Sequence, residues 1–140
     1  MKIGNLGSDV KHSISEEPAF EWARSGNYYS LSEFLREGGD VNCKNLDGHS
    51  LLTLAACNNR WGLSAWLIKN NADVNSIDLS GNSVLMSTCL KGHTRIVKML
   101  LHAGADPFLQ NAQGRTALDF ARSFEHEDIV EVLAGGRVLH

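Results

Sequence analysis

Several common features are scarce or missing in this chain. No apolar run approaches the roughly 18 residues that cross a bilayer, so no membrane span is expected. The first residues, MKIGNLGSDVKHSISEE, have neither an apolar core nor a cleavage pattern, so they do not read as a secretory signal. There is no excess of positive charge: the net charge is -3 and the pI about 6.0. A nucleic-acid or anionic-membrane surface needs clustered Lys and Arg, so neither is expected as a partner. Cysteine is sparse. Cys43, Cys57 and Cys89 are odd in number and lack metal-ligand clustering, which points to buried or half-buried thiols in a reducing, cytoplasmic compartment. Proline occurs only twice, against 13 glycines, so the turns are many and of similar type.

What is present is a period. Gly48, Gly81 and Gly114 recur every 33 residues, as do Leu52, Leu85 and Leu118. Leu63, Ile96 and Ile129 keep that interval, and so do Leu67, Leu100 and Leu133. Asp40, Asp73 and Asp106 repeat one unit earlier. Helices impose periods near 3.6 residues and strands near 2, so a long period in several columns marks a repeated supersecondary unit.

Within each unit the residues spell two short helices between turns. Ser50, Ser83 and Thr116 stand where an N-cap hydroxyl would accept a free helix N–H. Leu52, Leu85 and Leu118 follow, with Ala55, Thr88 and Ala121 three residues on, which makes one helical face. The second helices carry apolar stripes: Leu63, Leu67 and Ile68; Ile96, Val97, Leu100 and Leu101; Ile129, Val130 and Leu133. Gly38-Gly39, Asn70-Asn71 and Gly104 end those helices, where a left-handed residue is cheap. Asp47-Gly48 and Ser80-Gly81 supply hairpin-like tips.

These columns resemble the ankyrin repeat. The segment from Asp78 to Gln110 is the most complete unit, with Gly81, Leu85, Gly92-His93, Ile96-Val97, Leu100-Leu101 and Gly104-Ala105-Asp106. The resemblance covers residues 17 to 134. It implies an all-α solenoid of stacked helix-turn-helix units joined by β-hairpin-like loops, with repeats over about 16–45, 46–77, 78–110 and 111–136. Residues 1–15 are read as a flexible tail outside the repeat domain at 16–140, and Arg137 to His140 as a fraying end. The first unit is a degenerate cap, with Tyr28 and Tyr29 placed to shield it. In the last, Glu125, Glu127 and Asp128 favour a helix N-terminus.

The chain departs from the family at the opening of the inner helix, usually Thr-Pro-Leu-His. Here it reads Ser50-Leu51-Leu52-Thr53, Ser83-Val84-Leu85-Met86 and Thr116-Ala117-Leu118-Asp119. Proline and histidine are both missing, so a lower stability than that of consensus arrays is expected. His93 follows Gly92 as in the family, where it is structural.

No nucleophile, base and orienting group fall into a recognisable pattern, and there is no phosphate loop. The expectation is a non-catalytic, monomeric interaction module without a cofactor or metal, binding a partner protein. The family's ligand surface is its concave side. Carried onto this chain, that surface comprises Leu46, Asp47 and His49 at one tip, Leu79, Ser80 and Asn82 at the next, and Gln113 and Arg115 at the third. The inner helices add Leu54 and Asn58, then Leu90 and Lys91, then Phe120 and Phe124, both of which also read as packing between inner helices. Leu46 and Leu79 are unusual as apolar tip residues. Cys57, one position past the small-residue column, is the thiol expected to be more reactive than Cys89. Trp61 is either a contact anchor or packing on the neighbouring loop. Two further readings stay open: a dedicated inhibitor or regulatory subunit of one enzyme, and a small enzyme using Cys57 and His49.

Overall fold

The computed structural model describes residues 15–135, which form eight helices in four pairs. The expected tail lies outside the described residues except for Ser15, as does the stretch from Arg137 to His140. The pairs are α1 (Glu17–Ser25) with α2 (Tyr28–Arg36), α3 (Leu51–Cys57) with α4 (Trp61–Lys69), α5 (Val84–Lys91) with α6 (Thr94–His102), and α7 (Ala117–Ser123) with α8 (Glu127–Gly135). The inner helices α1, α3, α5 and α7 stack on one another in that order, and α4, α6 and α8 stack behind them. No described element is a strand. Two isolated antiparallel bridges, Lys44 with Ser50 and Ile77 with Ser83, close the hairpin-like loops ahead of α3 and α5.

The caps fall where the sequence puts them. Ser50 Oγ accepts from the Thr53 N–H at 3.1 Å, Ser83 Oγ from Met86 at 3.1 Å and Thr116 Oγ1 from Asp119 at 3.4 Å. The column that holds histidine in the family is filled by three local substitutes. The Thr53 hydroxyl meets Ser50 Oγ at 3.1 Å, the Met86 sulfur accepts from the Ser83 N–H at 3.4 Å, and the Asp119 carboxylate accepts from the Thr116 N–H at 2.9 Å. Met86 and Asp119 thereby take up the backbone N–H of the cap residue, while Thr53 buttresses the capping hydroxyl itself.

The core is a continuous column. Leu52, Leu85, Ala55, Thr88 and Ala121 are buried from the inner helices, and Leu67, Ile96, Val97, Leu100 and Ile129 from the outer ones. Small residues on the inner helices let successive backbones close up, so each unit buries its face only against its neighbours. Gly38, Asn71 and Gly104 take positive φ after α2, α4 and α6. Tyr28 packs edge-to-face on Trp66 of the next unit, ring centres 4.9 Å apart, while Tyr29 stays exposed. Trp66 is itself only partly buried against the core.

Two sets of side-chain bonds tie unit to unit. Asn42 Oδ1 accepts from the Asp73 N–H and Asn75 Oδ1 from the Asp106 N–H, both at 2.8 Å. The next residue in that column is Phe108, which cannot accept and stands 81% exposed. The second set uses the residue opening each outer helix. Arg60 Nε donates to the Arg24 carbonyl at 2.9 Å, His93 Nε2 to the Cys57 carbonyl at 3.1 Å, and His126 Nε2 to the Leu90 carbonyl at 2.9 Å. Because the acceptors are carbonyls, each imidazole must carry its proton on Nε2. His93 is structural, as the sequence implies.

Candidate functional site

The residues expected to meet a partner come from the loop tips and the inner helices. Each tip is shaped by an Asx carbonyl or carboxylate oxygen that takes two backbone N–H groups. Asn45 Oδ1 takes those of Asp47 and His49, Asp78 Oδ1 those of Ser80 and Asn82, and Asn111 Oδ1 those of Gln113 and Arg115, all at 2.8–3.0 Å. The tips are bonded to one another through the backbone. The Leu79 N–H donates to the Asp47 carbonyl and the Ala112 N–H to the Ser80 carbonyl, both at 3.1 Å. A Cβ at Gly48 would lie 2.8 Å from the Leu79 nitrogen, so this close stacking needs glycine.

This stacking leaves two apolar side chains in solvent. Leu46 is 91% exposed and Leu79 80%, on adjacent tips. Between the helices that follow these tips, α3 and α5, lies a mainly apolar cleft of about 200 Å³, lined by His49, Thr53, Leu54, Cys57, Ser87, Leu90 and Lys91. The carbonyls of Cys57 and Leu90, both lining residues, are the ones held by His93 and His126. The backbone at one end of the cleft is therefore held by the inter-unit ladder. A second hollow, between the tips of the third and fourth units, gathers Ser80, Asn82, Asn111, Gln113 and Phe120.

The residues picked from the sequence divide into two that are buried, several held by bonds of their own and several left exposed. Leu54 and Phe120 are each 7% exposed and contribute edges to hollows rather than protruding side chains. Phe120 packs into the core, and the Arg115 guanidinium covers its ring at 4.6 Å. Phe120 and Phe124 therefore form no shared exposed face. Phe124 terminates α7, is half exposed and lies parallel to the His126 ring at 6.4 Å. His49 turns inward, with Nε2 3.3 Å from the Asp78 carboxylate, bracing one tip against the next. Arg115 is engaged within its own unit by the Asp119 carbonyl and Ser123 Oγ. Asn58 caps α3 and donates to the Leu54 carbonyl at 2.7 Å. Asn82 accepts from Asn111 Nδ2 at 2.8 Å. Asp47, Ser80, Lys91 and Gln113 remain exposed.

Cys57 is only part-buried where Cys89 is buried, which agrees with the expected order, but neither thiol is activated. Burial pushes the Cys57 thiol up to about 11, against the pull of nearby Lys91. Cys89 and Cys43 are pushed up to about 12, again mainly by burial. An activated cysteine needs the opposite shift. No group of three or more His, Cys, Asp or Glu among the described residues could hold a metal. Trp61 is engaged by the Arg95 guanidinium of the next unit, 4.0 Å above its ring.

Sequence reasoning missed two things. The column of Arg60, His93 and His126 was visible as a 33-residue recurrence, but the identity of its acceptors needs the fold. Phe108 was signalled by the break after Asn42 and Asn75.

Comparison with known proteins agrees with this architecture. A family profile described as ankyrin repeats in three copies matches residues 20–111 and 65–138. The chain is 36% identical over 119 residues to the rat ankyrin repeat and SAM domain-containing protein 6, covering 82% of this chain and 13% of that protein. It is 30% identical over 119 residues to an ankyrin repeat-containing protein of Treponema pallidum, covering 84% of this chain and 40% of the other. A mouse B-cell lymphoma 3 protein homolog is 32% identical over 102 residues, covering 72% of this chain and 22% of the other. The chain thus spans less than half the length of these relatives. With matching columns, stacked helix pairs and bonded loop tips, it belongs to the ankyrin repeat family.

Proposed function

We propose that the chain binds a partner protein through its concave groove, without catalysis of its own. Ankyrin repeats are generally protein–protein interaction modules. The observation that carries the reading is the presence of two exposed leucines on adjacent tips together with an apolar cleft between the helices that follow those tips. Exposed apolar groups clustered around a preorganised hollow are how interaction surfaces are commonly built. The stacked tips and the histidine ladder support the same reading, because a surface already rigid loses little entropy on binding.

The test is affinity capture from host extract, with the wild-type chain beside a Leu46→Ser/Leu79→Ser variant and a Ser87→Phe variant that fills the cleft. Circular dichroism confirms that each is folded. A protein retained by the wild type and lost by both variants supports the groove. Undiminished retention by both would place the contact elsewhere. The regulatory-subunit reading uses the same surface and predicts a single enzyme among the retained proteins.

A further inference from the structure

We propose that the cleft between α3 and α5 takes a short linear segment of a partner protein, seating one large apolar side chain and pairing a neighbouring carboxylate with Lys91. The proposal rests on the reading of the concave groove as the binding surface and names the chemistry that surface selects.

The cleft volume of about 200 Å³ falls below the roughly 300–1,000 Å³ typical of small-molecule and cofactor sites. It suits one inserted side chain better than a whole ligand. Its lining is chemically divided. Leu54, Cys57 and Leu90 supply apolar surface, and burial keeps the Cys57 thiol protonated, with its value up at about 11. Thr53 and Ser87 add only hydroxyls.

The charge in the lining is one-sided. The Asp78 carboxylate, behind His49, accepts from the Ser80 and Asn82 N–H groups and also faces the His49 imidazole. Its oxygens are engaged by its own loop and by the neighbouring tip. Lys91 differs: it ends α5, is exposed, and has no ion pair or hydrogen bond among the described residues. It is the one full cation lining the cleft. A segment with an acidic residue would complement it, whereas a basic segment would meet like charge. Leu46 and Leu79 stand exposed on the tips that lead into α3 and α5, where they offer apolar contacts to residues flanking the inserted one.

The test is selection of a displayed library of random 12-residue peptides on the immobilised chain, followed by anisotropy measurements with labelled synthetic peptides. Enriched peptides are expected to carry Leu, Ile, Met or Phe with Asp or Glu within about four residues. Ser87→Phe, which fills the cleft while leaving Leu90 in place, is expected to weaken binding at least tenfold. Lys91→Glu should do likewise, Lys91→Arg should preserve binding, and replacing the peptide acid by Lys should restore affinity for Lys91→Glu. Peptides without an acid that Ser87→Phe still abolishes would overturn the Lys91 pairing and leave the groove standing. Peptides unaffected by both Ser87→Phe and Lys91→Glu would overturn the groove as well. Enrichment of basic peptides, or of no sequence at all, would overturn the linear-segment proposal.

Discussion

The Nε2–H of His93 donates to the carbonyl oxygen of Cys57 across a repeat boundary, at 3.1 Å. One unit on, His126 makes the same bond to Leu90. Each carbonyl belongs to the last turn of an inner helix, where backbone oxygens lack intrahelical donors. An intramolecular hydrogen bond contributes about 0.5–1.5 kcal/mol net. His93→Ala and His126→Ala are each expected to lower unfolding free energy by about 1 kcal/mol, measured by urea denaturation. Unchanged midpoints would show that water satisfies the carbonyls equally well.

Gly92 makes room for that ladder. Its φ is +82°, and a Cβ there would sit 2.6 Å from the His126 ring. Gly92→Ala should cost about 1–2 kcal/mol from the left-handed backbone alone, plus a clash. In a double-mutant cycle, His126→Ala should remove the clash and leave the backbone cost, so the two losses should combine to less than their sum.

The exposed and buried leucines should separate cleanly in stability. Leu46→Ser and Leu79→Ser change residues that are 91% and 80% exposed and should stay within about 0.5 kcal/mol of wild type. Leu85→Ala, at a position 1% exposed, should cost about 2–5 kcal/mol. Thermal or urea unfolding of the three variants checks this. A large loss at either tip would make that leucine part of the scaffold.

Asp119 gives the array an acid-sensitive cap. The Thr116 backbone N–H, helped by the Thr116 hydroxyl and by Arg115 and Arg122, holds its carboxyl below the usual carboxylate range. A depressed value means that its stabilisation is full above the unfolded-state carboxylate value and is lost as pH falls through the folded one. Melting temperature followed from pH 6 to pH 2 should therefore fall less steeply for Asp119→Ala than for wild type. Parallel curves would show that the cap contributes nothing that titrates.

The three thiols should be slow. With Cys57 up at about 11 and Cys43 and Cys89 at about 12, alkylation at neutral pH should lag a free cysteine by roughly two orders of magnitude or more. Unfolding in urea should abolish the difference. Mass spectrometry of iodoacetamide-treated native protein locates the modified site, and a fast Cys57 would revive the thiol-enzyme reading.

Much of the fold was legible because it depends on recurrence. The capping hydroxyls of Ser50, Ser83 and Thr116, the left-handed Asn71 and Gly104, and the apolar stripes of the outer helices all follow from column and local chemistry. The groove was less legible because a column does not state where a side chain turns. Phe120 and Phe124 share a helical face in sequence, yet Arg115 closes over one while the other ends the helix and meets His126. His49 occupies a tip column, yet the carboxylate one unit on draws it inward. Both outcomes depend on a neighbour several residues or a whole unit away.

The backbone bonds between tips, from the Leu79 N–H to the Asp47 carbonyl and from the Ala112 N–H to the Ser80 carbonyl, have a metrical consequence. They make the loops a ruler whose graduations do not depend on the exposed leucines mounted there. Leu46 and Leu79 can be exchanged for other residues without altering the interval between them. A partner engaging both must carry its own contacts at that same interval, so an insertion between those contacts would put it out of step.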